Sequence, residues 1–227
     1  MALILNIETA TEISSVCIAK GEKVLAIKES TQTMSHARET TILIEACLKA
    51  ANIALTNVDA IAVSIGPGSY TALRVGSSIA KGICYALDLP LIGISTLKSL
   101  AFAASEQMKG DYYCPMIDAR RKEVYTATYN SALTIIKQES ATVLTPDYIE
   151  ESGWQGKLVF SGNGAPKFKD MVRGERYHFP AISCSAAYIA PLAYVAYHQG
   201  KFEDLAYFEP VYLKPPNITK SNKKLLL

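Results

Sequence analysis

Charge of one sign, histidine and long apolar runs are what this 227-residue sequence has least of. Its 23 lysines and arginines stand against 21 acids, a net charge of +2, so no broad field for nucleic acid or an anionic membrane is implied. No apolar run approaches the roughly eighteen residues needed to cross a bilayer. Residues Met1 to Glu8 lack a positive start and reach an acid within their apolar stretch, which excludes a secretory signal. His36, His178 and His198 are isolated, and Thr40 stands four places after His36, so there is no HxxxH metal pair. Cys17, Cys47, Cys84, Cys114 and Cys184 form no CxxC; an odd, scattered set in apolar runs suits reduced core thiols in the cytosol. There is no GxSxG elbow and no Gly-Lys-Ser/Thr phosphate loop.

What is present has the composition of a folded globular chain, 49% hydrophobic and 19% charged, and is long enough for one large domain or two small ones. Period-two apolar runs predict strands over Leu3–Ile7, Ser15–Ala19 and Lys23–Lys28, with a turn at Lys20-Gly21-Glu22. A helix capped by Ser35 follows over His36–Ala51, then a strand over Asp59–Ile65, a helix over Tyr70–Leu87, a strand over Pro90–Ser95 and a helix over Leu97–Gln107. The order is βββαβαβα. An offset of 110 residues starts it again: Ile7-Glu8 falls on Ile117-Asp118, Gly21 on Ser131 and Glu29-Ser30 on Glu139-Ser140. Strands are expected over Tyr112–Asp118, Glu123–Tyr129, Leu133–Gln138 and Lys157–Phe160. A helix is expected over Ser185–His198, which Pro191 either kinks or begins. The reading is an α/β fold of duplicated lobes, residues 1–107 and 108–213, with a poorly ordered Lys-rich tail over 214–227.

Two strand-to-helix loops carry the candidate chemistry. Gly66-Pro67-Gly68-Ser69 leaves a strand and opens a helix, so its free amides suit either a phosphate or simply a tight turn. Gly162 and Gly164 repeat the pattern in the second half. Glu8 and Asp118 end equivalent strands; as a pair across a cleft they suit Mg²⁺ or a hydroxyl, and otherwise Glu8 caps a turn and Asp118 pairs with Arg120 or Arg121. Thr9-Ala10-Thr11 contains no glycine, which disfavours close approach of a triphosphate. In the Tyr70–Leu87 helix, Ala72, Gly76, Ala80 and Cys84 form a small-residue stripe on which another helix can pack, and Leu73, Val75, Ile79 and Ile83 face elsewhere. The His36–Ala51 helix, with Ile42, Ile44 and Cys47, is also apolar nearly all round, which implies either a partner or a sandwiched position.

Ile7-Glu8-Thr9-Ala10-Thr11, the run from Gly66 to Gly76, Ile117-Asp118-Ala119-Arg120-Arg121-Lys122-Glu123-Val124-Tyr125 and Pro210-Val211-Tyr212-Leu213 together resemble the TsaB (YeaZ) family of threonylcarbamoyladenosine biosynthesis. The resemblance implies ribonuclease-H-like lobes as in actin, Hsp70 and sugar kinases. It implies a non-catalytic subunit beside the paralogous transferase TsaD, which acts on adenosine 37 of tRNAs reading codons that begin with A, with the ATPase TsaE as third member. It further implies a homodimer in isolation, cytoplasmic location, tRNA met only through the complex, and ATP and metal held by the partners rather than by this chain. The expected interface comprises His36, Ile44, Cys47, Ala72, Leu73, Gly76, Ala80 and Ile83. Glu8, Thr9, Gly66, Gly68, Ser69, Asp118, Gly162 and Gly164 are expected to be vestiges of nucleotide loops. Thr96 and Leu100 stand where the paralogue places its metal histidines, so no metal centre is expected. Two departures are Glu8-Thr9 in place of the usual Asp-Thr, and Ala72 in place of a commoner glycine. The competing reading is a nucleotide-dependent kinase or hydrolase of the same fold.

Overall fold

The computed structural model describes residues 1–30, 36–149 and 153–215. The Ser35 cap and the tail beyond residue 215 lie outside the described residues, as does the side chain of His36. Strands β1 (Leu3–Glu8), β2 (Ser14–Lys20) and β3 (Lys23–Ser30) form an antiparallel meander that turns at Gly21, where φ is +63°. β4 (Ala60–Gly66) lies parallel to β1 and β5 (Leu91–Ser95) parallel to β4, so the sheet order is β3-β2-β1-β4-β5. The crossovers are α1 (His36–Ala51) and α2 (Tyr70–Leu87). α2 stops where Asp88 takes a left-handed conformation just before Pro90.

The second half repeats this plan. β6 (Tyr112–Asp118), β7 (Glu123–Asn130), β8 (Ile135–Val143), β9 (Leu158–Ser161) and β10 (Tyr177–His178) form a sheet in the order β10-β9-β6-β7-β8. Each neighbouring pair has the same sense as its counterpart in the first sheet. The duplication seen in the sequence is therefore a duplication of topology, and Glu8 and Asp118 end equivalent strands. The crossovers have shrunk: among the described residues a 3-10 turn at Pro146–Tyr148 stands in place of α1, and the five-residue α4 (Ala165–Lys169) replaces α2. β8 begins two residues later than expected, because Asn130 Oδ1 accepts from the amides of Ala132 and Thr134 and holds a longer turn. α5 (Ala186–His198) starts at its Ser185 cap and carries Pro191 in its interior, so the proline does not begin it.

β1, β2 and β4 are buried on both faces, which is why Leu3–Glu8 and Ala60–Gly66 read as nearly continuous apolar runs. Leu5, Ile7, Val16, Ile61 and Val63 face Ile44 and Cys47 of α1 and Ala80 and Cys84 of α2. The opposite face, with Ile4, Ala60, Ala62 and Ile92, packs on Ile189 and Ala193 of α5. In turn α3 (Thr96–Gln107) lays Leu97, Leu100 and Ala104 on the second sheet. Each half thus sends a helix to the other half's sheet, and α3 and α5 lie in contact between the two. All five cysteines are buried and free, and burial raises the pKa of Cys84 to about 11 and of Cys114 to about 12, so neither forms a thiolate near neutrality.

Helix α2 packs very closely on the end of β1 at Gly76. A Cβ there would fall on Thr9 Oγ1, whose hydroxyl donates to the Ala72 carbonyl at 2.9 Å. Alanine is the better helix former by about 1 kcal/mol. Overpacking of about 1–3 kcal/mol, with loss of a hydrogen bond worth ~1 kcal/mol, outweighs that gain. Gly76→Ala is therefore expected to lower unfolding stability by about 1–3 kcal/mol, read from denaturant midpoints; a stabilised variant would contradict this packing.

Candidate functional site

An open cleft of about 610 Å³ separates the lobes. One wall is built from Ala10–Glu12 and Pro67–Thr71, the other from Ile117–Arg120, Tyr125 and Asn163. Asn163 Nδ2 donates to Glu12 Oε2 at 2.9 Å and its Oδ1 accepts from Asp118 N at 2.9 Å, so this one amide ties the two walls together. Residues Val211–Pro215 run along the rim as a strap. Val211 N donates to Ile65 O, Tyr212 packs on Tyr70 with ring centroids 4.4 Å apart, and Lys214 forms an ion pair with Glu123. Arg74 joins the strap, its guanidinium 4.2 Å from the Tyr70 centroid and its Nε donating to Tyr212 Oη at 3.2 Å.

Each glycine loop uses part of its amides internally. A Cβ at Gly68 would strike Ala10 O, and the same carbonyl accepts from Ser69 N at 2.7 Å. Gly66, at φ +107°, would carry a Cβ 2.7 Å from Val211 O. In the second lobe Gly164 N donates to Met116 O at 2.9 Å, and a Cβ at Gly162 (φ +89°) would strike that same carbonyl. In each lobe a carbonyl of an adjacent segment of the same chain, Ala10 O or Met116 O, thus takes up one amide that a phosphate could otherwise use. Of the expected loop residues, Gly68, Ser69 and Asp118 line the cleft; Glu8, Thr9, Gly66, Gly162 and Gly164 do not.

Glu8 and Asp118 are not an acid pair. Asp118 is exposed and bound by Lys167, whose Nζ lies 2.5 Å from Oδ1, and the same oxygen accepts from Arg120 N at 2.6 Å. The ion pair expected with Arg120 or Arg121 is thus a backbone contact, and the cation is Lys167. Glu8 is fully buried behind the wall, where Oε1 accepts from Ala10 N at 2.7 Å and Oε2 has no partner among the described residues. Burial raises its pKa from the ordinary 4.5 to about 7, against the lowering influence of the Ala10 amide, the Ser64 hydroxyl and the Thr9 amide.

The expected interface needs a larger correction. Ile44, Cys47, Ala72, Leu73, Gly76 and Ala80 are buried within this chain, and Ile83 is half-buried against the same core. The small-residue stripe lets α2 approach β1, β4 and Thr9 rather than a second molecule's helix. The outward face of the α1–α2 pair instead carries Ile42, 52% exposed, Tyr85, 85% exposed, and Gly82, whose missing side chain meets only open space. Helical spacing holds the signal: Ile42 is an apolar member of the otherwise polar stripe Arg38, Glu45 and Lys49.

Thr96 and Leu100 are both buried, Leu100 in the core beneath the second sheet. Among the described residues no three His, Cys, Asp or Glu side chains gather as metal ligands, and no helix is long and apolar enough to cross a membrane.

Two lobes of equal topology, exchanging helices and meeting at a cleft, define a duplicated ribonuclease-H-like protein of the actin and sugar-kinase type. An activator of 2-hydroxyisocaproyl-CoA dehydratase from Clostridium difficile shares the fold, with TM-score 0.55 at 10% identity over 88% of this chain and 97% of that one. The TsaD family model, tRNA N6-adenosine threonylcarbamoyltransferase, matches residues 23–221. The threonylcarbamoyladenosine biosynthesis protein TsaB of Escherichia coli is 32% identical over 222 residues, 93% of this chain and 94% of that protein. YeaZ from Pseudomonas aeruginosa superposes with TM-score 0.81 at 26% identity, over 94% of this chain and all of that one. The chain belongs to the TsaD-related family and, within it, to the TsaB proteins of tRNA threonylcarbamoyladenosine biosynthesis.

Burial of Glu8 predicts a pH dependence. Its folded pKa lies above the unfolded one, so the stability of the protonated form is full below pH 4.5 and is lost as pH rises to about 7. The loss is on the order of 3 kcal/mol. Glu8→Gln has no such dependence, so its stability relative to the parent should rise between pH 5 and pH 7 in paired denaturant titrations. A constant difference would contradict the buried, uncompensated carboxyl.

Proposed function

We propose that the chain is a non-catalytic subunit that enables a TsaD-type transferase to threonylcarbamoylate adenosine 37 of tRNAs reading codons that begin with A. It works in the cytoplasm by docking on that transferase through the outward face of α1 and α2, with the ATPase TsaE joining the pair and tRNA met on the assembly. In isolation the same face holds a homodimer. ATP and metal are held by the partners, not by this chain.

The observation that carries this reading is the face itself. Tyr85 exposes apolar surface one turn from Gly82 on α2, Ile42 does so on α1, and a glycine inside a helix costs about 1 kcal/mol relative to alanine. No contact among the described residues requires that glycine, and the close approach it permits suits another molecule. The chemistry of the other sites supports a non-catalytic role. Glu8 is buried away from the cleft, Asp118 is neutralised by Lys167, the Ser69 and Gly164 amides are taken up, and Thr96 and Leu100 offer no imidazole.

The test is reconstitution of tRNA modification from TsaD and TsaE with and without this chain, together with co-elution from a sizing column. Gly82→Arg and Tyr85→Glu are expected to remain folded, to lose co-elution with TsaD, and to lose support of modification by at least about tenfold, the equivalent of 1.4 kcal/mol. Variants that co-elute and support modification like the parent would exclude this face.

A further inference from the structure

The β6–β7 turn combines a firmly held backbone with three idle cations. Arg120 and Arg121 take φ of +69° and +52°, where glycine or asparagine sits without strain. The turn is closed by Glu123 N donating to Arg120 O at 3.1 Å and Ala119 N donating to Glu123 O at 3.2 Å. Lys167 Nζ buttresses it from below, donating to Arg121 O at 2.9 Å and Glu123 O at 3.3 Å as well as to Asp118. The acids beside the turn are already compensated, Asp118 by Lys167 and Glu123 by Lys214. The side chains of Arg120, Arg121 and Lys122 are exposed and have no carboxylate partner among the described residues. These three uncompensated charges exceed the net charge of the whole chain, +2.

We propose that this turn docks the sugar–phosphate backbone of RNA, a proposal that rests on the reading of the chain as part of a tRNA-modifying assembly. Three consecutive cations on a preorganised turn suit a polyanion with regularly spaced charges, because little side-chain-bearing backbone has to be ordered on binding. A free phosphate or nucleotide fits less well. It would need converging backbone amides, and the nearby Ser69 and Gly164 amides are already donated to Ala10 and Met116. Arginines at positive φ also fit a binding role better than a structural one, since the turn itself would close more easily without them.

The experiment uses the full chain and a fluorescently labelled tRNA transcript, with anisotropy titrations over a salt series. The variant is Arg120→Asn, Arg121→Gly and Lys122→Gln combined, residues that suit the turn, so its melting temperature should equal or exceed that of the parent. The parent is expected to bind with a log–log salt slope of about −2 to −3, and the variant to lose at least roughly tenfold in affinity at about 50 mM salt and most of that slope. No binding by the parent, equal binding by both, or displacement of the tRNA by inorganic phosphate at constant ionic strength would overturn the proposal. Co-elution of the variant with TsaD is measured in parallel. RNA binding can fail while co-elution persists, and co-elution can fail while RNA binding persists, so the two readings fall separately.

Discussion

The close approach of α2 to the β1–β2 loop, made possible where Gly68 and Gly76 lack side chains, holds the first lobe in register. Thr9 reaches from the end of β1 to the Ala72 carbonyl, and Ala10 accepts the first free amide of the loop. Because this contact fixes α2 against β1 and β4, it also fixes which residues of α2 face inward. Ala72, Gly76, Ala80 and Cys84 are consumed by it, and what remains exposed is Thr71, Arg74, Ser78, Gly82, Tyr85 and Ala86. The outer face and the closed loop are thus two consequences of a single packing choice.

That choice separates this chain from the nucleotide-binding use of its fold. A phosphate cradle needs unspent amides at a strand-to-helix turn. Here each lobe spends one of them on a carbonyl of the adjacent strand or loop, Ser69 N on Ala10 O and Gly164 N on Met116 O, which weakens the anion-binding chemistry while the cleft keeps its shape. The strap over Val211–Lys214 reinforces this by filling the approach to Gly66 and linking the first lobe to Glu123 of the second. Charge that faces the cleft mouth comes instead from the β6–β7 turn, on a different element and with a different geometry.

The order of elements along the first half, the duplication and the apolar character of α1 and α2 were legible in the sequence because they rest on local periodicity and on a repeated run of strand, turn and acid. The Glu8–Asp118 equivalence was legible for the same reason. Their separation was not, since burial of one carboxyl and capture of the other by Lys167, 49 residues further on, are facts of tertiary packing. The expected small-residue interface failed for a related reason. A stripe of Ala and Gly states that something approaches closely, but the approach of the chain's own sheet and the approach of a partner leave the same pattern.

By itself, then, the sequence determined the α/β class, the two-fold repeat, the family and the thiol character of its cysteines, all of which follow from composition and short-range pattern. The tertiary structure alone decided that α3 and α5 cross to the opposite sheets, that the Ser69 and Gly164 amides are occupied, and that Ile42, Gly82 and Tyr85 are among the residues turned outward. The physical reason is that a helix shows its periodicity without showing which of its faces the chain will cover, and only long-range packing assigns the faces.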